Sequence, residues 1–196
     1  LVGALAPSAG AITFKGERIE GRRNHEVARL GLVRTHQVVR PFREMTVAAN
    51  VRIGARFGAS LRGAAADAEV ARVLEQTGLA PRADAPGGTL TIGELKRLEI
   101  ARALATRPDV LCLDEVMGGL NPGEIRGAME LIRAVREAGT TVLMIEHHVH
   151  AVVGISDRIM VLNFGTKIAE GPPSAVIRDQ RVIDAYLGSA PAAAGA

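Results

Sequence analysis

Two short apolar runs, separated by one amphipathic stretch, constrain the fold of this chain more than any other feature. "DVLCLD" (109–114) and "TTVLMIEH" (140–147) are nearly unbroken apolar phrases that end in acidic or imidazole side chains. They are too short for helices and lack the alternation of a half-exposed strand, so both read as buried strands. Between them, "GEIRGAMELIRAVREAG" (123–139) spaces its apolar residues by three and four and closes on Gly139, the pattern of an amphipathic helix with a glycine stop. Strand, helix and strand in succession argue an α/β domain with a largely parallel sheet.

The rest of the chain fits around that unit. "AITFKGERIE" (11–20) alternates about Lys15-Gly16 and predicts a hairpin. "HEVARLGLVRTHQ" (25–37) predicts a short helix, then a strand from Gly31 to Thr35 ending in His36-Gln37. "TVAANVRIGARFG" (46–58), with Thr46 able to cap, and "AAADAEVARVLEQTGL" (64–79) have helical spacing. "APRADAPGGT" (80–89) reads as a Pro/Gly linker. "GELKRLEIARALATRP" (93–108) is the strongest helical phrase, with Leu95, Leu98, Ile100, Ala101 and Leu104 at its apolar positions and Pro108 as its stop. Residues 46–90 show no strand pattern and read as an α-helical insert. Downstream come a short helix in "HVHAVVGIS", a hairpin over 157–171 pivoting at Asn163 to Gly165, and one or two helices over 173–188. The "SAPAAAGA" tail is of low complexity and is expected to fray.

Composition narrows the class. With 47% apolar and 23% charged residues the chain is globular rather than disordered. A net charge of +3 comes from scattered basic residues, and only 3% are aromatic, so a nucleic-acid partner is not expected. The single cysteine, Cys112, excludes an internal disulfide and fits a reducing compartment. No apolar run approaches the roughly 20 residues of a membrane span.

In open parallel sheets, functional groups gather where strands end at their carboxyl edge. Gln37, the Asp114-Glu115 pair, and Glu146 with His147 all fall at such ends. Each has an ordinary reading taken singly: a turn residue, an N-terminal helix charge, a structural histidine. Three strands ending in these groups, in this order, favour a functional edge.

That order, and above all "LTIGELKRLEIARALATRPDVLCLDE" (90–115), resembles the ATP-binding subunit of ABC transporters. The resemblance covers residues 10 to 188. It implies a P-loop NTPase-type ABC ATPase core, α/β with a mainly parallel sheet, over 1–45 and 96–172. It also implies an α-helical, signature-bearing subdomain over 46–95, a helical extension over 173–188 and a disordered tail over 189–196. By resemblance, Gln37 matches the glutamine that senses Mg²⁺ and the γ-phosphate of ATP. Thr91, Gly93 and Glu94 match the signature loop, whose backbone N–H groups bind phosphates of ATP held by a partner subunit. Asp114 matches the acid that holds Mg²⁺ through water, and Glu115 the glutamate that polarises the attacking water. Gly118 to Asn121 match the loop that crosses the dimer interface, and His147 the histidine that reaches the γ-phosphate. Such chemistry needs positioning and charge neutralisation more than covalent participation.

"ARLGLVRTHQ", "MTVAANV", "GLNPGE", "IEHHVHAVVGISDRIMVLNFGTKIAEGPP" and "RVIDAYLG" look like the branched-chain amino-acid importer branch, with amide and urea importers as close relatives. The implied partners are a second ATPase subunit, membrane permease subunits and, indirectly, a solute-binding protein. The implied place is the cytoplasmic face of a bacterial inner membrane. An inactive ABC scaffold and a soluble non-transport ABC ATPase are the alternative readings.

The chain also departs from the pattern. Ile92 stands where the family has Gly or Tyr, Glu94 where it usually has Gln, Val116 where it has Pro, and His36 where the branch has Phe. A carboxylate at position 94 repels phosphate unless it is turned away. The phosphate loop G-x-x-x-x-G-K-[ST] is not found: none of the three lysines, Lys15, Lys96 and Lys167, follows a glycine. By resemblance that loop comes just before the phrase matching "LVGALAPSAGAITFKG" (1–16), so it is expected upstream of Leu1, in a longer parent protein.

Overall fold

The computed structural model describes residues 2–3, 5–36 and 39–187. Gln37 and the tail from 188 onward therefore lie outside the described residues. The chain divides into two compact units, one ending at Glu146 and the other beginning at His147.

In the first unit, Thr13–Phe14 (β1) and Glu17–Arg18 (β2) pair antiparallel. Lys15 and Gly16 both take positive φ, 50° and 81°, the twist that lets a two-residue loop join the strands. The Lys15 ammonium donates to Asp109 Oδ2 at 2.6 Å and to the Leu30 carbonyl at 3.2 Å, which pins the hairpin to the sheet. Helix α1 (Asn24–Arg29) and strand β3 (Leu32–Arg34) follow. Gly31 joins them at φ +103°, and an added Cβ would lie 2.0 Å from Asp109 Oδ2, so only glycine fits this junction.

Helix α2 (Val47–Ile53) is capped by Thr46, whose hydroxyl accepts from Ala49 N–H at 3.1 Å. It runs into a wider turn, Gly54–Gly58, before α3 (Gly63–Gln76). Residues 80–89 are not a loose linker. Val47 and Ala48 donate their N–H groups to the carbonyls of Ala85 and Ala83, and Gly87 donates to Met45 at 2.8 Å. The Pro/Gly composition signalled a break in the helices. It did not reveal that the α2 N-terminus needed backbone acceptors.

Helix α4 (Ile92–Leu104) ends earlier than Pro108 alone would require. Arg107 takes φ 55°, and its guanidinium reaches the buried Glu69. Leu98, Ile100, Ala101 and Leu104 are buried, as their spacing predicts, whereas Leu95 is only half-buried and Glu99 is buried in its stead. Strand β4 (Val110–Asp114), helix α5 (Pro122–Glu137) and strand β5 (Thr141–Ile145) complete the unit.

The sheet is parallel, in the order β3-β4-β5. Leu111 and Leu113 of β4 are buried, each worth about 1.5–3 kcal/mol of transfer free energy. β5 departs from the expectation of a second buried strand. Leu143 and Ile145 are 42% and 63% exposed. Among the described residues β5 pairs only with β4.

The second unit holds a short helix α6 (Val149–Ile155) and an antiparallel hairpin of β6 (Ile159–Asn163) and β7 (Thr166–Gly171). The hairpin turns on Phe164-Gly165, both at positive φ, with Asn163 paired to Thr166. Ala169 of β7 packs with Val176 of α7 (Pro173–Val176) and Val182 of α8 (Gln180–Val182).

Candidate functional site

The carboxyl end of β4 is built by backbone pairing. Asp114 lies opposite Ile145 of β5, and its N–H donates to the hydroxyl of the buried Thr35 at 3.3 Å. Glu115 leaves the strand at φ 47°, an uncommon conformation for a glutamate. It is held there from three sides. Its N–H donates to the Ile145 carbonyl at 2.9 Å, and its own carbonyl accepts from Lys96 Nζ at 3.2 Å and from Gly118 N–H at 3.3 Å. Glu146 Oε1 accepts from Met117 N–H at 2.7 Å, tying the same turn to the end of β5. Strain of this kind persists where the surroundings over-determine it, and it gathers at functional sites.

The N-terminus of α4 is a capping box. Thr91 Oγ1 accepts from Glu94 N–H at 3.3 Å, and Glu94 Oε2 accepts from Thr91 N–H at 2.8 Å. The N–H groups of Ile92 and Gly93 remain outside the helix ladder, at the positive end of the helix dipole. Helix α5 opens the same way. Asn121 Oδ1 accepts from Gly123 and Glu124 N–H at 2.9 and 3.0 Å, and Glu124 Oε2 accepts from Asn121 N–H at 2.9 Å.

The two helix starts touch. A Cβ on Gly93 would lie 2.6 Å from Glu124 Oε1, so the glycine is what lets them approach. A cleft of about 260 Å³ runs beside this contact, lined by Thr91, Gly93, Lys96, Arg97 and Glu124 over an apolar floor that includes Ile100.

Thr91, Gly93, Glu94, Asp114, Glu115 and Asn121 thus share the first unit, joined by the Lys96–Glu115 and Gly93–Glu124 contacts. Gln37 falls outside the described residues, but its flanks are anchored. Buried Glu99 accepts from His36 N–H at 3.2 Å and from Arg102 at 3.2 Å, and Arg102 donates to the Arg40 carbonyl at 3.2 Å. His147 opens the second unit, its ring centroid 4.5 Å from that of His148.

Sequence reasoning missed Lys96, Glu99 and Glu124. Along the chain Lys96 stands out only as a lysine that follows no glycine. Glu124 carried a signal, since N-x-x-E is a capping pattern; Glu99 carried none, since a charge on a helix usually faces water.

For a divalent cation the described residues offer no cage of three or more His, Cys, Asp or Glu side chains. Mg²⁺ usually needs only one or two carboxylates beside water and substrate phosphates, and Asp114 fits that hard-oxygen role. Cys112 is a free, buried thiol whose pKa burial pushes up, which suits packing rather than reactivity.

Residues 1–118 match the ABC transporter family, and residues 166–192 match the branched-chain amino acid ATP-binding cassette transporter family. The chain belongs to the ATP-binding cassette ATPases of ABC transporters. It is 41% identical to the high-affinity branched-chain amino acid transport ATP-binding protein LivG of Escherichia coli K12, over 97% of this chain and 80% of LivG. The same identity and coverage hold for BraF of Pseudomonas aeruginosa. Among solved structures, the ATP-binding cassette MJ1267 superposes with a TM-score of 0.83 at 28% identity, over 94% of this chain and 79% of that one. A second structure of MJ1267, in its ADP conformation, superposes at 0.80 and 27% identity, over 96% and 80%. The cassette family binds nucleotide and hydrolyses ATP, and this chain is such a subunit of a transporter. No helix among its described residues is long and apolar enough to cross a membrane.

Proposed function

We propose that the chain couples ATP hydrolysis to uptake of branched-chain or related amino acids. The match of residues 166–192, past the catalytic core, to the branched-chain family carries the solute class. The names of LivG and BraF support it.

In this reading Asp114 would hold Mg²⁺ through water, and the ion would supply charge neutralisation to the phosphates of ATP. Glu115, locked at φ 47°, aims its carboxylate at the attacking water and takes its proton. The free N–H groups at the start of α4 bind phosphates of ATP held by a second cassette subunit, with Thr91 and Glu94 shaping that start. Asn121 faces the same partner, while Gln37 and His147 read the γ-phosphate. The subunit sits peripherally on the cytoplasmic face of a bacterial inner membrane, docked on permease subunits and served indirectly by a solute-binding protein.

The test is the assembled transporter in proteoliposomes. Leucine should stimulate its ATPase and be taken up. Glu115→Gln should lower kcat by about 100-fold or more while nucleotide affinity is retained. Wild-type turnover by Glu115→Gln would refute the assigned role. Uptake of urea or short amides in place of leucine would overturn the solute class.

A further inference from the structure

We propose that Arg82 is a positioning residue of the α4 phosphate-binding start: it holds the Glu94 carboxylate folded back and neutralised, so that a negatively charged ligand can approach. The inference rests on the assignment of residues 91–94 to the nucleotide of a partner subunit.

The problem Arg82 solves is electrostatic. A carboxylate in the first turn of a phosphate-binding helix stabilises the helix through its dipole. The same charge repels the phosphates that the turn is meant to bind. A glutamine there would raise no such conflict; this chain carries Glu94. The structure shows both oxygens of that carboxylate engaged. Oε2 accepts from Thr91 N–H at 2.8 Å, and Oε1 lies 3.3 Å from Arg82 Nε. The ion pair is a charge contact rather than an aligned hydrogen bond, since Nε is buried without a hydrogen-bond acceptor.

Arg82 is held in place by more than its partner. Its Nη2 donates to the carbonyl and hydroxyl of Thr89, both at 3.4 Å. The Thr89 hydroxyl donates to the Pro86 carbonyl at 2.8 Å, and Gly87 of the same turn is bonded to Met45 at 2.8 Å. The guanidinium therefore belongs to a turn clipped onto α2, and Glu94 is drawn to a cation the fold supplies. A second carboxylate, Glu124, lies against Gly93, which makes neutralisation of the first more important.

The experiment measures ATP KM and kcat of the assembled transporter for Arg82→Met, made both in the native sequence and on a Glu94→Gln background. In the native sequence Arg82→Met should raise KM about tenfold at low salt and leave kcat within about twofold. The KM effect should shrink as ionic strength rises. On the Glu94→Gln background the same change should move KM by less than about twofold. An unchanged KM for Arg82→Met in the native sequence overturns the proposal. So does an equal loss on both backgrounds, which would mean that Arg82 acts only by bracing the Thr89 turn. Ile92→Asp, which adds a carboxylate to the same helix start at an exposed position, separates the two levels. If it leaves KM unchanged, the nucleotide reading of residues 91–94 has failed and the role of Arg82 with it. If it raises KM while Arg82→Met does not, only the role of Arg82 is overturned.

Discussion

Replacing Gly93 with alanine sets two physical effects against each other, and their sum is measurable. In an ordinary helix interior, Gly→Ala stabilises by about 0.5–1 kcal/mol, because alanine loses less backbone entropy on folding. Here the new Cβ would lie 2.6 Å from Glu124 Oε1 and 3.1 Å from its Cδ. The carboxylate can swing away only by giving up its 2.9 Å bond to Asn121 N–H, the reciprocal half of the α5 cap. A charge-assisted bond of this kind is worth about 1.5 kcal/mol or more. Gly93→Ala should therefore destabilise by about 0.5–1 kcal/mol in the native sequence. On a Glu124→Ala background the obstacle and the bond are already gone, and the same change should stabilise by about 0.8 kcal/mol. The coupling between the two sites is then about 1.5 kcal/mol. Urea denaturation of the four variants reads it as a difference of about 0.7 M between the two midpoint shifts, for a slope near 2 kcal/mol per M. Equal stabilisation on both backgrounds would refute the steric coupling, and with it the claim that glycine is needed to bring α4 and α5 together.

Two further predictions concern the scaffold. Burial alone would raise the Glu69 carboxyl, but hydrogen bonds from Arg72 and Arg107 outweigh it and hold its pKa below the ordinary 4.5. A depressed carboxyl contributes stability that is fully present above the unfolded value and is lost as pH falls through the folded one. Glu69→Gln should thus cost about 2 kcal/mol at pH 7, and the gap from wild type should close below pH 4.5 in denaturation curves taken across pH. Asn50 is fully buried and satisfies the 42–46 loop with four bonds, to Phe42 N–H and to the carbonyls of Phe42, Met45 and Thr46. Asn50→Ala should cost about 3 kcal/mol, and Asn50→Asp should not rescue it, because a carboxylate cannot donate to those carbonyls; thermal unfolding checks both.

Much of the fold is legible in the linear sequence because it depends on local spacing. The parallel β3-β4-β5 sheet, the helices at 63–76, 92–104 and 122–137, and the hairpins at Lys15-Gly16 and Phe164-Gly165 follow from periodicity, caps and turn residues. The Asp114-Glu115 pair is legible as well, since adjacent residues at a strand end need no tertiary information. What was misread depended on distant neighbours. The "TTVLMIEH" phrase has the composition of a buried strand, yet Leu143 and Ile145 are exposed. Composition reports what a strand can tolerate, while burial depends on what lies beside it. The 80–89 segment looked like a spacer because proline and glycine forbid helix; that it closes the start of α2 follows from three-dimensional pairing alone.

The sequence by itself determined the family and the succession of strands and helices along the chain, and it singled out the residues proposed to handle phosphate and water, because these are written in contiguous motifs. Tertiary structure alone decided how those residues are held. Glu115 is locked at positive φ by a lysine one helix away and a carbonyl one strand away. Gly93 is favoured over alanine because of a glutamate 31 positions downstream. The carboxylate of Glu94, a liability when read along the chain, is turned back on its own cap beside Arg82. The physical reason is common to all three: motif chemistry is local, whereas conformational strain, steric exclusion and charge compensation belong to pairs of groups that only folding brings within a few ångströms.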